Sequence, residues 1–146
     1  MLTEREIKLI KNNWGELRGI KPEIIGDVFY RKLFIDMPEL KRMFTTSTEE
    51  QSKKLIDMLN LIVARLERLN ELTKDIKQLA KRHAGYGVTE KHYQYVGAAL
   101  IWTLQQALRN TWNTELQNAW LSCYTILSNA MINATQDKYP SEQRIK

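Results

Sequence analysis

A single cysteine, Cys123, stands in a chain of 146 residues. An internal disulfide is therefore excluded, and the sequence neither supports nor requires an oxidising compartment. The thiol falls in a stretch of helical apolar period, where a buried, unreactive cysteine is expected. Glycine (six) and proline (three) are scarce, so long regular elements are favoured over a loop-built scaffold. No window approaches the roughly 20 apolar residues of a membrane-spanning helix. The N-terminus carries no apolar signal stretch, and a cytoplasmic protein is the expectation.

Missing motifs narrow the chemistry further. There is no phosphate-cradling glycine loop, no G-x-S-x-G and no H-E-x-x-H. Cys123 has no histidine near it in sequence, and the acidic residues mostly accompany bases on exposed faces. Only two histidines exist, His83 and His92, nine positions apart with a turn between them. They are not a chelating pair on one helix, and zinc would need ligands the sequence does not offer. Basic residues (22) exceed acidic ones (17) for a net charge of +5, but they are scattered. No run is long enough to read as a nucleic-acid arm, so no nucleic-acid partner is expected. The surplus suits an anionic partner at most.

What is present reads as helices. The length fits one domain, and 43% hydrophobic with 27% charged residues is ordinary globular composition. Thr3 and Glu6 form a capping box before Ile7, Ile10, Trp14 and Leu17, and Gly19 closes that helix. Pro22 opens a second helix with Ile25, Val28, Phe29, Leu33 and Phe34 on its apolar face. Pro38 breaks it, and a short tight segment follows from Glu39 to Phe44. Thr45 to Thr48 connects and caps, and Glu49 and Glu50 suit the positive end of the next helix. That helix carries Leu55, Leu59, Ile62, Val63 and Leu66. A shorter helix from about Thr73 carries Ile76, Leu79, Ala80 and His83 and ends at Gly85 and Gly87. Thr89 starts a long helix through Tyr93, Val96, Leu100, Leu104 and Leu108. Asn113 or Thr114 caps the last, with Leu116, Trp120, Cys123, Leu127 and Met131. Pro140 marks a tail expected to fray from about residue 138. With no strand-period segment, repeat or linker, residues 1–146 are expected to form one all-α domain of six or seven helices.

A lone histidine on an apolar helix face is more often an interior residue than a ligand. Haem is the exception that needs only one protein ligand, because the macrocycle supplies four nitrogens. The surroundings of His83 point that way. Tyr30 stands eight residues before Pro38 and Phe44 six after it. Gln51 and Leu55 share a helix face. His83 follows Gln51 by 32 residues, room for one long helix and a return by a short one. Two helices can then sandwich a flat ligand.

These residues carry a family resemblance. Phe29-Tyr30 with Met37-Pro38-Glu39-Leu40-Lys41-Arg42-Met43-Phe44 resembles the second-helix-to-corner region of globins. Lys81-Arg82-His83, Tyr86-Gly87-Val88, His92-Tyr93 and Val96-Gly97 resemble the proximal region of single-domain bacterial globins and of the globin part of flavohaemoglobins. Trp14 and Trp120 fall where that group often has tryptophan. The likeness spans about residues 2 to 134.

The resemblance implies a globin fold enclosing one haem b (iron protoporphyrin IX) between a distal and a proximal helix. It implies His83 as the proximal iron ligand and Phe44 as the aromatic on the haem face. Tyr30 and Gln51 match the distal pair that hydrogen-bonds dioxygen, and Leu55 matches the wall beside them. Leu79 and Val88 would line the proximal side. Arg82 matches a propionate partner, with a plain exposed charge as the rival. Tyr93 matches a proximal tyrosine, with plain packing as the rival. The implied function is reversible binding of dioxygen, nitric oxide and carbon monoxide, with high affinity for dioxygen and low preference for carbon monoxide. The alternatives are a nitric oxide dioxygenase or weak peroxidase using a separate reductase, and a globin-fold sensor module. A monomer or weak homo-oligomer is expected. Two departures stand out. Gln51 replaces the common distal histidine, and Ala134 or Thr135 stands where flavohaemoglobins have a glutamate supporting the proximal ligand. Because the sequence stops at Lys146, an external reductase is the expected electron source.

Overall fold

The computed structural model describes residues 2–44 and 46–136. The expected fraying from residue 138 and the break at Pro140 lie outside them. The described residues hold six α-helices and no strand: α1 (Glu4–Leu17), α2 (Pro22–Asp36), α3 (Thr48–Ala64), α4 (Thr73–Gly85), α5 (Glu90–Ala107) and α6 (Thr114–Gln136). Two 3-10 segments, Pro38–Met43 and Leu66–Leu72, join α2 to α3 and α3 to α4.

The helix ends follow local chemistry. The Thr3 hydroxyl accepts from the Glu6 amide at 3.1 Å while the Thr3 amide donates to the Glu6 carboxylate at 2.9 Å, which satisfies two otherwise orphaned donors. Pro22 occupies the first turn of α2, where a missing N–H is harmless. Met37 precedes Pro38 and sits at φ −142°, ψ 78°, driven out of the helical region by the proline ring. Ser47 caps α3 through the Glu50 amide at 3.1 Å. At the start of α6 it is Asn113, rather than Thr114, that caps, accepting from the Leu116 amide at 2.8 Å.

One element departs from expectation. Leu66 does not extend α3; it opens the second 3-10 segment, inside which Arg68 turns out of helical geometry (φ −137°, ψ 47°). Leu66, Leu69 and Leu72 recur every three residues, the period at which side chains align on a 3-10 turn. Leu66 and Leu72 are buried and Leu69 packs against the core.

Helix α2 packs on α3 and α5, α1 on α6, and α4 on α6. The α2–α3 crossing is the tightest glycine contact in the core. A Cβ placed on Gly26 would lie 1.9 Å from Ser52 Oγ and 2.8 Å from Ser52 Cα. Ser52 is itself buried, and its hydroxyl donates to the Thr48 carbonyl at 2.7 Å. A second close approach joins α5 to α6, where a Cβ on Gly97 would meet the Tyr124 ring at 2.5 Å. Trp14 and Trp120 tie α1, α3 and α6 together. Their rings lie 6.0 Å apart, Trp120 donates to Asn13 at 2.9 Å, and Trp14 donates to Asn60 at 2.7 Å. Cys123 is buried in this core, and burial pushes its thiol pKa up to about 12, so it is neutral and unreactive.

Gly26→Ala is expected to destabilise the fold by about 2 kcal/mol through overpacking, a fall in Tm of roughly 6 °C for a domain of this size. Gly15→Ala is the control: nothing lies within 4 Å of its Cβ position on α1, and it should raise stability by about 0.5–1 kcal/mol through helix propensity. Equal effects in thermal melts would refute the close crossing of α2 and α3.

Candidate functional site

His83 projects from the side of α4 that also carries Ile76 and Leu79, and it is partly buried. Its Nδ1 lies 2.9 Å from the Leu79 carbonyl. A carbonyl can only accept, so Nδ1 is the donor and carries the proton. Nε2 is then the bare, lone-pair nitrogen, and it has no hydrogen-bond partner among the described residues. Burial, the largest influence, holds the imidazole pKa below its ordinary value; the Leu79 bond acts against this, and the Arg82 charge adds to it. A neutral imidazole with one nitrogen anchored and the other free is the form that ligates a metal.

The chain beyond His83 folds around its carbonyl, which accepts from Tyr86 N at 3.1 Å and from Val88 N at 3.0 Å. Between them Gly87 adopts φ +90°, a conformation that glycine takes without strain. Met43 of the first 3-10 segment lies beside this corner, its Cε 3.8 Å from where a Gly87 Cβ would be.

The second group sits where α2, the first 3-10 segment and α3 meet. Tyr30 is buried, and its hydroxyl donates to the Gln51 carbonyl at 3.3 Å. Burial raises the Tyr30 pKa far above its ordinary value, so the group is a phenol and a donor. Phe44 packs edge-on to Tyr30 at 5.3 Å between ring centroids, and Phe34 stacks on Tyr30 at 5.8 Å. The Gln51 amide donates to the Thr46 hydroxyl. Leu55 follows one turn on, partly buried.

The structure therefore brings together Tyr30, Phe44 and Gln51. It also gathers Leu79, Val88 and Tyr93 in one cluster with Ala80, Met131 and Ala134. Ala134 is apolar packing there, in place of the carboxylate weighed from the sequence. The Tyr93 carbonyl accepts from the Tyr124 hydroxyl, and burial raises the Tyr93 pKa. Arg82 is exposed and forms no ion pair among the described residues. His92 belongs to neither group: its Nδ1 accepts from the Thr89 amide at 3.0 Å, and its Nε2 lies 3.9 Å from Glu39. Two participants escaped the sequence reading. Phe34 had only its place one turn after Tyr30 to announce it, and Thr46 passed as connector.

Among the described residues no three His, Cys, Asp or Glu side chains cluster to hold a bare metal ion. A single free imidazole nitrogen fits a metal that arrives with its own ligands, as in a porphyrin. The helix carrying His83 packs chiefly on α6, and the helix carrying Gln51 packs chiefly on α2. Phe44, Leu55, Leu79 and Val88 remain only partly buried, as apolar side chains do when a ligand completes their cover. The donor set and its surroundings fit a haem.

Known proteins place the chain in the same company. The family model described as Globin matches residues 27–131. The chain is 30% identical over 139 residues to an uncharacterized globin-like protein of Aquifex aeolicus, covering 95% of this chain and 98% of that one. It is 26% identical over 136 residues to a flavohemoprotein of Vibrio cholerae, covering 91% of this chain but spanning only 34% of that protein's length. A solved bacterial globin from Campylobacter jejuni superposes with a TM-score of 0.82 at 28% identity, over 94% of this chain and 99% of that one. The chain belongs to the globin family.

Proposed function

We propose that this globin holds haem b through His83 Nε2 and binds dioxygen reversibly and tightly on the side guarded by Tyr30 and Gln51. The observation that carries the reading is the Leu79 carbonyl at 2.9 Å from His83 Nδ1, which fixes the tautomer that leaves Nε2 free. Haem, when bound, supplies an iron with a coordination position open to a diatomic gas. The protein supplies the rest. Phe44, Leu55, Leu79 and Val88 offer apolar cover that excludes water from the macrocycle. Arg82, exposed and without an ion pair among the described residues, offers a cation for a propionate.

On the gas side, Tyr30 and Gln51 are two neutral donors, the phenol buried among aromatic rings and the amide half-buried beside Thr46. Each hydrogen bond contributes about 1 kcal/mol net, more as the acceptor gains negative charge. Two donors together slow release by roughly ten- to a hundredfold. Dioxygen is the better acceptor and gains more than carbon monoxide. Both donors must leave their present acceptors, the Gln51 carbonyl and the Thr46 hydroxyl, so the gain is a difference between two sets of bonds.

The relationship to a flavohemoprotein favours a second reading, nitric oxide dioxygenation with electrons from a separate reductase. Sustained turnover with a reductase separates it from binding alone. A peroxidase role has less support: His83 leans on a neutral carbonyl, and Ala134 offers no carboxylate to strengthen its basicity.

The purified protein should show a Soret band that shifts with carbon monoxide. His83→Ala should lose or alter that band, and added imidazole should restore it; no Soret band in the parent, even after haem is supplied, would refute haem binding. Tyr30→Phe should raise the dioxygen off-rate at least fivefold in stopped-flow measurements, with a smaller change for carbon monoxide. An unchanged dioxygen rate would remove Tyr30 from the gas site.

A further inference from the structure

A half-open groove of about 280 Å³ lies between the second 3-10 segment, the start of α4 and α6. Neither His83 nor any member of the Tyr30, Phe44 and Gln51 group lines it. It exists because α6 presents Ala130 and Ala134 toward the first turns of α4, and these methyl groups are too short to fill the space between the helices. Leu69, Ile76, Ile126 and Leu127 give it an apolar wall.

Its one charged group is a cation. Lys77, Asn70 and Asn133 are exposed at the groove and bring an ammonium and two amides. No acidic residue lines it, and Lys77 forms no ion pair among the described residues. Asp75, the acid of the first turn of α4, lies outside the lining. The Thr73 hydroxyl is already committed to the Asn70 carbonyl at 2.6 Å. Helix α4 begins at Thr73 without a side-chain cap.

An apolar wall with a cation at its mouth recognises an amphiphilic anion. A dry cavity of about 150 Å³ holds the six carbons of benzene, so a groove of about 280 Å³ has room for up to roughly twelve, and an eight-carbon chain fits within it. We propose that the groove binds a medium-chain fatty carboxylate, the tail against Ile76, Ile126 and Leu127 and the carboxylate on Lys77. The groove shares Ile76 and Ala134 with the packing behind Leu79 and Val88, but none of the residues assigned to hold haem or gas lines it, so it is tested by its own ligand.

Calorimetric titration of the full-length protein, as purified, with sodium octanoate tests this. Octanoate is expected to bind once per chain, with 1-octanol and acetate each at least tenfold weaker. Lys77→Gln should weaken octanoate about three- to fivefold, the range of an exposed ion pair, and leave 1-octanol unchanged. Ala130→Leu fills the groove and should abolish binding; should that variant fail to fold, Ala130→Val should weaken binding at least fivefold. Absence of binding, equal affinity for 1-octanol, or octanoate affinity that survives the Ala130 variants overturns the proposal. So does an Ala130 variant that changes the sedimentation coefficient, which would assign the groove to a second copy of the chain.

Discussion

The approach of Gly26 to Ser52 sets the distance between α2 and α3, and the contact of Tyr30 with Gln51 depends on that distance. Tyr30 lies one turn beyond Gly26, and Gln51 immediately precedes Ser52. Only because the two backbones nearly touch can a phenol on one helix reach a main-chain carbonyl on the other at 3.3 Å. A methyl group in the crossing would push that pair apart. Serine suits the contact because its hydroxyl turns back onto the Thr48 carbonyl of its own helix. No polar atom is stranded where the helices meet, and an unpartnered one there would be expensive.

The two halves of the candidate site are organised by different means. The tyrosine side is a side-chain assembly of three aromatic rings and an amide, ordered by packing. The histidine side is a backbone assembly. The Leu79 carbonyl orients the ring, and the His83 carbonyl gathers the Tyr86 and Val88 amides around the positive-φ Gly87. One half is built on α2, α3 and the segment between them, the other on α4, the turn after it, α5 and α6. Partly covered leucine, valine and phenylalanine side chains are what a domain shows where a flat apolar ligand belongs between such halves.

Much of this was legible because it rests on residues with few conformational options. Thr3, Pro22, Pro38 and Gly87 punctuate the chain through rules that hold locally, and the structure keeps each of those boundaries. His83 could be singled out because only two histidines exist and the other lies beyond a turn. The 3-10 segment after α3 was harder, since its leucines also continue a helical stripe, and only their three-residue spacing separates the two readings. Thr46 was invisible as a partner because its role depends on where the Gln51 side chain points. The groove beside Ala130 was invisible for a similar reason: a small residue on an apolar helix face says nothing of whether its neighbour fills the space.

The bond between His83 and the Leu79 carbonyl has a mechanical meaning as well as a chemical one. It joins the ring to its own helix at a second point, so the imidazole cannot swivel independently and moves as a rigid spoke of α4. That helix is bounded by an irregular turn at Arg68 on one side and by Gly85 and Gly87 on the other, and it packs chiefly on α6. A small rotation of α4 about its axis would therefore swing the free nitrogen through an arc without breaking a hydrogen bond, and the compliance of the α4–α6 contact becomes the stiffness with which the protein grips whatever that nitrogen holds.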